Sequence, residues 1–126
     1  MDMLDDTKRF IVVDDQPFMR KAVRRILEAH RGWEVCAEAS DGQEAVEKAK
    51  QLAPDFVVMD LVMPRLGGID AARQISEESP LVQVLILTLH SLPDLVEAAR
   101  DAGAKAFLLK SDSPRQLVST IERLVV

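Results

Sequence analysis

Five side chains in this sequence could do chemistry together: Asp14, Asp15, Asp60, Thr88 and Lys110. Each follows a short apolar run, either directly or, for Asp15, after one further residue. The runs are Phe10-Ile11-Val12-Val13, Phe56-Val57-Val58-Met59, Val82 to Leu87 and Ala106-Phe107-Leu108-Leu109. A short apolar run bounded by turn signals reads as a strand buried on both faces of a parallel sheet. Its first polar residue then marks where the chain leaves the core, on the sheet edge where open α/β folds bind ligands. For one such residue alone, a solvated loop side chain would be the ordinary explanation. Four strands ending in matching chemistry argue otherwise.

Three carboxylates, a hydroxyl and an ammonium on one rim define a narrow range of reactions. Two carboxylates 4 Å apart repel by about 4 kcal/mol at an effective dielectric near 20, so the cluster calls for a cation. Oxygen donors without a neighbouring histidine or cysteine select a hard ion, Mg²⁺ first and Mn²⁺ as an alternative. With the ion in place, an oxygen of Asp60 can attack phosphorus to give an aspartyl phosphate. Such a transfer depends on positioning and charge neutralisation, which the metal and Lys110 would supply. The Thr88 hydroxyl would donate to a phosphoryl oxygen.

The elements between these strand ends complete an alternating pattern. Gln16-Pro17 opens a helix with Phe18, Ala22, Val23, Ile26 and Leu27 as its apolar stripe and Arg20, Lys21, Arg24 and Arg25 facing outward. Gly32 closes it. Trp33 to Ala39 alternates as an edge strand, with Val35, Ala37 and Ala39 on one face. Ser40 with Gln43 forms a capping-box signature for a helix from Gly42 to Leu52. A third helix follows Gly67-Gly68, with Ile69, Ala72 and Ile75 inward. The fourth starts at Ser91-Leu92-Pro93-Asp94 and runs to Ala102. A second box, Ser113 to Gln116, opens the last, with Leu117, Ile121 and Leu124 on one face. Five strands and five helices in alternation predict an α/β fold, a doubly wound parallel five-stranded sheet covered on both sides. Strand order is not written in the sequence, but an order of 2-1-3-4-5 would bring Asp14, Asp15 and Asp60 into one crevice.

Composition sets the outer bounds. The 126 residues suit one domain, with residues 1–7 as an N-terminal extension and 8–126 as the folded unit. A hydrophobic content of 48% with 29% charged residues excludes disorder. The formal charge of −5 argues against this chain gripping nucleic acid by itself. No stretch reaches the length of a membrane span, and the acidic start lacks the features of a secretory signal. The one cysteine, Cys36, fits a reducing cytoplasm.

Together these motifs resemble the receiver domains of two-component response regulators, the phospho-acceptor partners of histidine kinases. The resemblance rests on Val13-Asp14-Asp15, on Met59-Asp60-Leu61-Val62-Met63-Pro64 with Gly67-Gly68, on Leu87-Thr88, and on Ala102-Gly103-Ala104-Lys105-Ala106-Phe107-Leu108-Leu109-Lys110. It implies a flavodoxin-like (βα)5 fold of order 2-1-3-4-5, with Asp60 as the phosphorylated residue. It further implies that Asp15, Asp60 and the Val62 carbonyl ligate Mg²⁺, Asp14 helping mainly through water. Thr88 and Lys110 would contact the phosphoryl group, and Phe107 would switch with Thr88, altering the face of the fourth helix, fifth strand and fifth helix. That face would serve a homodimer on phosphorylation or an output domain. The Leu89-His90 pair and Leu108 to Asp112 look most like the subgroup with a C-terminal helix-turn-helix domain, through which alone DNA would be bound. A histidine kinase or phosphotransfer protein would supply the phosphoryl group, and the chain would catalyse only its own phosphorylation and dephosphorylation.

Departures from the family pattern are Ser111 where many members have proline, Phe107 without a hydroxyl, and Val62 and His90 in the variable places beside the phosphoryl group. An apolar Val62 cannot orient attacking water, so a moderately to long-lived phosphate is expected. Other readings are weaker. A metal-dependent phosphohydrolase lacks any visible cap or substrate pocket. A flavin module would need a phosphate-cradling loop where Asp14-Asp15 stands. A stand-alone phosphorelay or scaffold receiver remains the main alternative, and a degenerate receiver conflicts with the full set of acceptor groups.

Overall fold

Strands and helices alternate strictly along the chain: β1 (Lys8–Val13), α1 (Pro17–Glu28), β2 (Trp33–Ala39), α2 (Gly42–Leu52), β3 (Phe56–Met59), α3 (Gly68–Glu78), β4 (Gln83–Thr88), α4 (Pro93–Asp101), β5 (Ala106–Leu109) and α5 (Pro114–Leu124). The computed structural model describes residues 7–89 and 92–125. His90, the start expected for α4 at Ser91 and nearly all of the N-terminal extension lie outside the described residues. Every strand pairing is parallel, and the order is β2-β1-β3-β4-β5.

The period of two along each strand divides the core into two layers. Ile11, Val13, Val57, Met59, Val84 and Ile86 pack under α2, α3 and α4 through Ala45, Ala49, Ala72, Ile75 and Ala99. Phe10, Val12, Val58, Leu85, Leu87 and Leu108 pack under α1 and α5 through Val23, Leu27, Leu117 and Ile121. A fully buried side chain such as Leu27 or Ile121 stabilises the fold by roughly 1.5–3 kcal/mol.

Four local expectations need correction. Phe18 does not join the apolar stripe of α1. It lies 81% exposed in the first turn of the helix. Arg20 and Arg24 do not simply face solvent, because both bind Glu38 of β2. In β2 the register against β1 slips between Phe10 and Ile11, leaving Cys36 as an extra residue. The bulge moves Val35 to the α1 side with Trp33, while Ala37 and Ala39 pack on the α2 side, so these residues do not share one face. The cap of α2 is Asp41, whose Oδ1 accepts from the Glu44 amide at 2.8 Å. Glu44, not Gln43, reaches back to the Ser40 amide.

The segment between β3 and α3 is held tightly against its surroundings. Gly68 opens α3 directly over the Asp60 and Leu61 backbone, where an added Cβ would overlap the Asp60 carbonyl. Gly42 does the same for the Leu66 carbonyl, and the Gly68 amide donates to the Leu61 carbonyl at 2.8 Å. Gly68→Ala should therefore cost about 1–3 kcal/mol by overpacking. Helix propensity alone would make the change favourable by about 1 kcal/mol. Urea denaturation separates the two, and a midpoint equal to or above wild type would refute the close-approach argument.

Candidate functional site

Parallel register decides where the acidic residues stand. Val13 pairs with Met59, so Asp14 and Asp60 emerge side by side from adjacent strands, and the Asp60 amide donates to the Val13 carbonyl at 3.0 Å. By alternation both continue the row that runs under α1 and α5, as Lys110 does on β5 two residues beyond Leu108. One oxygen from each of Asp14, Asp15 and Asp60 lies within 4.8 Å of the others.

Lys110 is drawn into this cluster. Its ammonium donates to Asp14 Oδ2 at 2.7 Å and to Asp60 Oδ2 at 3.2 Å, with only 5% of its side chain exposed. Burial works to lower the lysine pKa, yet the hydrogen bond to Asp14 and the charges of Asp60 and Asp14 together carry it above its ordinary value. The other oxygens are partly engaged by backbone. Asp14 Oδ1 accepts from the Gln16 amide at 2.9 Å, and Asp60 Oδ1 accepts from the Leu61 amide at 2.7 Å. The acidic cluster is thus less frustrated than the sequence suggests, because one cation serves two anions.

Asp15, Gln16, Asp60, Val62, Thr88, Leu89 and Lys110 line an open crevice of about 270 Å³. Asp14 is buried beneath it. Val62 stands at the mouth, 69% exposed, while Thr88 is almost wholly buried. Phe107 does not reach the crevice. It packs half-buried against the α4 layer, beside Ile86, and lines a separate cavity of about 70 Å³ with Val96, Ala99 and Arg100. Alternation nevertheless puts Thr88 and Phe107 on the same face of the sheet. The Lys110 amide donates to the Thr88 carbonyl at 2.7 Å, joining the ends of β4 and β5. The Lys110–Ser111 peptide is trans.

Two groups of residues around the site escaped the sequence reading. Arg20 Nη1 donates to the Asp14 carbonyl at 2.8 Å, and its Nε donates to Glu38 Oε1 at 2.7 Å. Arg24 Nη1 takes the second Glu38 oxygen at 2.8 Å. Arg65, with φ of 66°, places its guanidinium on Asp41 at 2.8 Å and so ties the β3–α3 loop to the cap of α2. Both are contacts between elements distant in sequence, for which no local spacing gives a signal.

The family description of the response regulator receiver domain matches residues 10–122. The chain belongs to that family. It is 43% identical over 118 residues to the transcriptional regulatory protein PdtaR of Mycobacterium tuberculosis, covering 94% of this chain and 57% of that protein. It is 38% identical over 117 residues to the chemotaxis protein CheY of Thermotoga maritima, covering 93% of this chain and 97% of that protein. A crystal structure of a two-component response regulator of the LuxR family from Aurantimonas sp. SI85-9A1 superimposes with a TM-score of 0.90 at 39% identity, covering 94% of this chain and 85% of that one. The chain spans about half the length of several curated regulators that it matches.

Receiver domains take part in phosphorelays, bind Mg²⁺ at an acidic pocket and interact with histidine kinases or phosphotransfer proteins. They are regulatory domains and are not generally classed as enzymes. The donor set of this receiver fits such an ion: three carboxylates close enough to share it, oxygen throughout. No helix among the described residues is long and apolar enough to cross a membrane.

The geometry separates the two neighbouring aspartates. Asp14→Ala strips Lys110 of its shorter partner and should lower metal-free stability by about 1–3 kcal/mol. Asp15→Ala removes a like charge and should raise it. Urea midpoints in the presence of a chelator check both, and equal shifts of one sign would contradict the assigned pairing. A second prediction concerns acid. The Arg24 hydrogen bond, followed by that of Arg20, holds the Glu38 carboxyl below its usual value against the opposing effect of burial. A depressed carboxylate contributes stability above its unfolded pKa of about 4.3 and loses it as pH falls through the folded value. Glu38→Gln should flatten the acid limb of the stability profile below about pH 5. Parallel acid limbs for wild type and variant would count against the Glu38 contribution.

Proposed function

We propose that this receiver accepts a phosphoryl group on Asp60 from a phosphohistidine donor in a Mg²⁺-dependent reaction. The observation that carries the reading is the convergence of the Asp14, Asp15 and Asp60 carboxylates within 4.8 Å, with the Lys110 ammonium on Asp14 and Asp60. Asp15, Asp60 and the Val62 carbonyl would hold the ion, with Asp14 behind them. Mn²⁺ would substitute. Bound there, the ion would offset the carboxylate charge and the charge on the incoming phosphoryl oxygens.

The chain's own groups then do the rest. An Asp60 oxygen attacks phosphorus as the P–N bond to the donor imidazole breaks, and the electron pair of that bond returns to the imidazole nitrogen. Lys110 turns its ammonium from Asp60 toward a phosphoryl oxygen, a charge-assisted hydrogen bond. The Thr88 hydroxyl donates to another. The apolar Val62 at the mouth cannot orient a hydrolytic water, which favours a long-lived phosphate.

Thr88 turning toward the phosphoryl group would vacate space for Phe107 and change the face of α4, β5 and α5, where Leu92 is 58% exposed. To drive a two-state equilibrium from 1:99 to 99:1, phosphorylation must favour the active state by about 5.5 kcal/mol. We take residues 8–126 as the receiver unit, acting in the cytoplasm upstream of a DNA-binding output domain. Likeness to regulators of about twice this length supports that placement, and homodimerisation through the switched face would accompany it. A stand-alone role is the second reading, favoured by the match to CheY over nearly all of its length.

Incubation with acetyl phosphate and Mg²⁺ followed by intact-mass measurement tests the acceptor. Wild type should gain the mass of one phosphoryl group and lose it on removal of Mg²⁺ before the reaction, and Asp60→Ala should gain none. An increment that persists in Asp60→Ala would overturn the assignment.

A further inference from the structure

Of the three clustered carboxylates, Asp15 is held differently from the others. Asp14 and Asp60 each take a backbone amide and the Lys110 ammonium. The Asp15 carboxylate takes no hydrogen bond from the described residues, so its direction depends on its backbone. That backbone has a clamp. Arg20 Nη1 donates to the Asp14 carbonyl at 2.8 Å, and this carbonyl shares one peptide plane with the Asp15 amide. Fixing the oxygen fixes the plane, and with it the bearing of the Asp15 Cα.

The clamp is itself braced. Arg20 Nε donates to Glu38 Oε1 at 2.7 Å, and Arg24 holds the other Glu38 oxygen at 2.8 Å. Lys48 Nζ donates to the Glu38 carbonyl at 2.6 Å, so β2 is fastened from the α2 side as well. Only 18% of the Arg20 side chain and 22% of Glu38 are exposed. A guanidinium suits the task because its planar fork can meet a carbonyl and a carboxylate at once, which an ammonium on a flexible stem cannot do in fixed geometry.

We infer that Arg20, braced by Glu38, is a positioning residue for cation binding that aims the Asp15 carboxylate through the Asp14–Asp15 peptide. The inference rests on the reading of Asp15 as a Mg²⁺ ligand. It makes a distinctive demand, because the two ways Arg20 could act have opposite signs. As a bare positive charge near the site, Arg20 would oppose a cation, and its removal would tighten binding. As a clamp, its removal loosens binding. Groups that orient a metal ligand from behind are typically worth tenfold or more in metal affinity.

Calorimetric titration of the metal-free protein with MgCl₂, alongside urea denaturation of the same samples, tests this. Arg20→Ala should weaken Mg²⁺ binding by about tenfold. Arg20→Lys, which keeps the charge and one donor, should recover part of the loss. Glu38→Ala alone should weaken binding, and adding it to Arg20→Ala should cost no further affinity, since the brace acts only through the clamp. Unchanged or tighter binding in Arg20→Ala would overturn the inference. Should that variant unfold, Arg20→Lys decides: weaker binding at an unshifted urea midpoint supports the clamp, and wild-type affinity overturns it. Asp15→Ala is the control. If it binds Mg²⁺ as wild type does, the ligand reading itself fails. If it binds weakly while the Arg20 variants bind normally, only the clamp fails.

Discussion

The Lys110 ammonium shared between Asp14 and Asp60 is the interaction around which this receiver is arranged. Parallel pairing of β1 with β3 leaves no freedom in the matter. Once Val13 lies against Met59, the next residues on both strands are neighbours, and both are carboxylates. One cation from β5, reaching across β4, offsets two anions. Three carboxylates against one ammonium still leave two formal negative charges, since Asp15 pairs with no cation among the described residues. A divalent ion matches that remainder. Lys110 offsets part of the carboxylate charge and leaves the remainder to a cation.

Holding like charges together requires rigid walls, and much of the surrounding sequence supplies them. Gly68 brings the first turn of α3 onto the Asp60 backbone, and Gly42 brings α2 onto Leu66 in the same loop. Asp41 serves twice, capping α2 with one oxygen and holding Arg65 with the other. On the opposite side, Asp14 is gripped by the Ala39 carbonyl, which accepts its amide, and by Arg20, which binds its carbonyl. Arg65 adopts a left-handed backbone at φ of 66°, an uncommon state for a non-glycine residue, and its ion pair to Asp41 gives a reason for it to persist.

What the sequence reveals and what it hides follow from the range of each signal. Strand ends are legible because a strand buried on both faces is apolar throughout, so the first polar residue after each run stands out: Asp14, Asp60, Thr88 and Lys110. Helix spans are legible from apolar spacing and caps. The capping residue of α2 is not, because Ser40 and Asp41 are both competent and only packing chooses. The β2 bulge is hidden for a related reason: alternation reports which residues differ in face, not where register slips. Phe18 keeps the spacing of the α1 stripe, but in the first turn of the helix it is left exposed among the described residues. Arg20 and Arg24 look like a solvated face because Glu38, which binds them, belongs to another element. Pairing of Lys110 with Asp14 spans most of the chain and could be read only after the strand order was fixed.

The division of the strand ends between two faces bears on how a change at the site could travel. Asp14, Asp60 and Lys110 continue the row under α1 and α5, whereas Thr88 and Phe107 continue the row under α2, α3 and α4. A charge added at Asp60 therefore acts first on groups across the sheet from Phe107. At the β4–β5 edge the two rows are joined by the hydrogen bond from the Lys110 amide to the Thr88 carbonyl, which fastens the ends of these strands. In the proposed reaction both residues would turn toward the same phosphoryl group, so this bond keeps their backbones in step while their side chains reorient. β5 lies at the sheet edge, with Phe107 only half-buried and a cavity beside it, and this is where the structure offers room for such a rearrangement. Close packing at β1 and β3, whose four paired residues are almost wholly buried, offers none. In the proposed reaction the close-packed centre would hold the reacting groups, and the half-buried edge strand would carry the consequence.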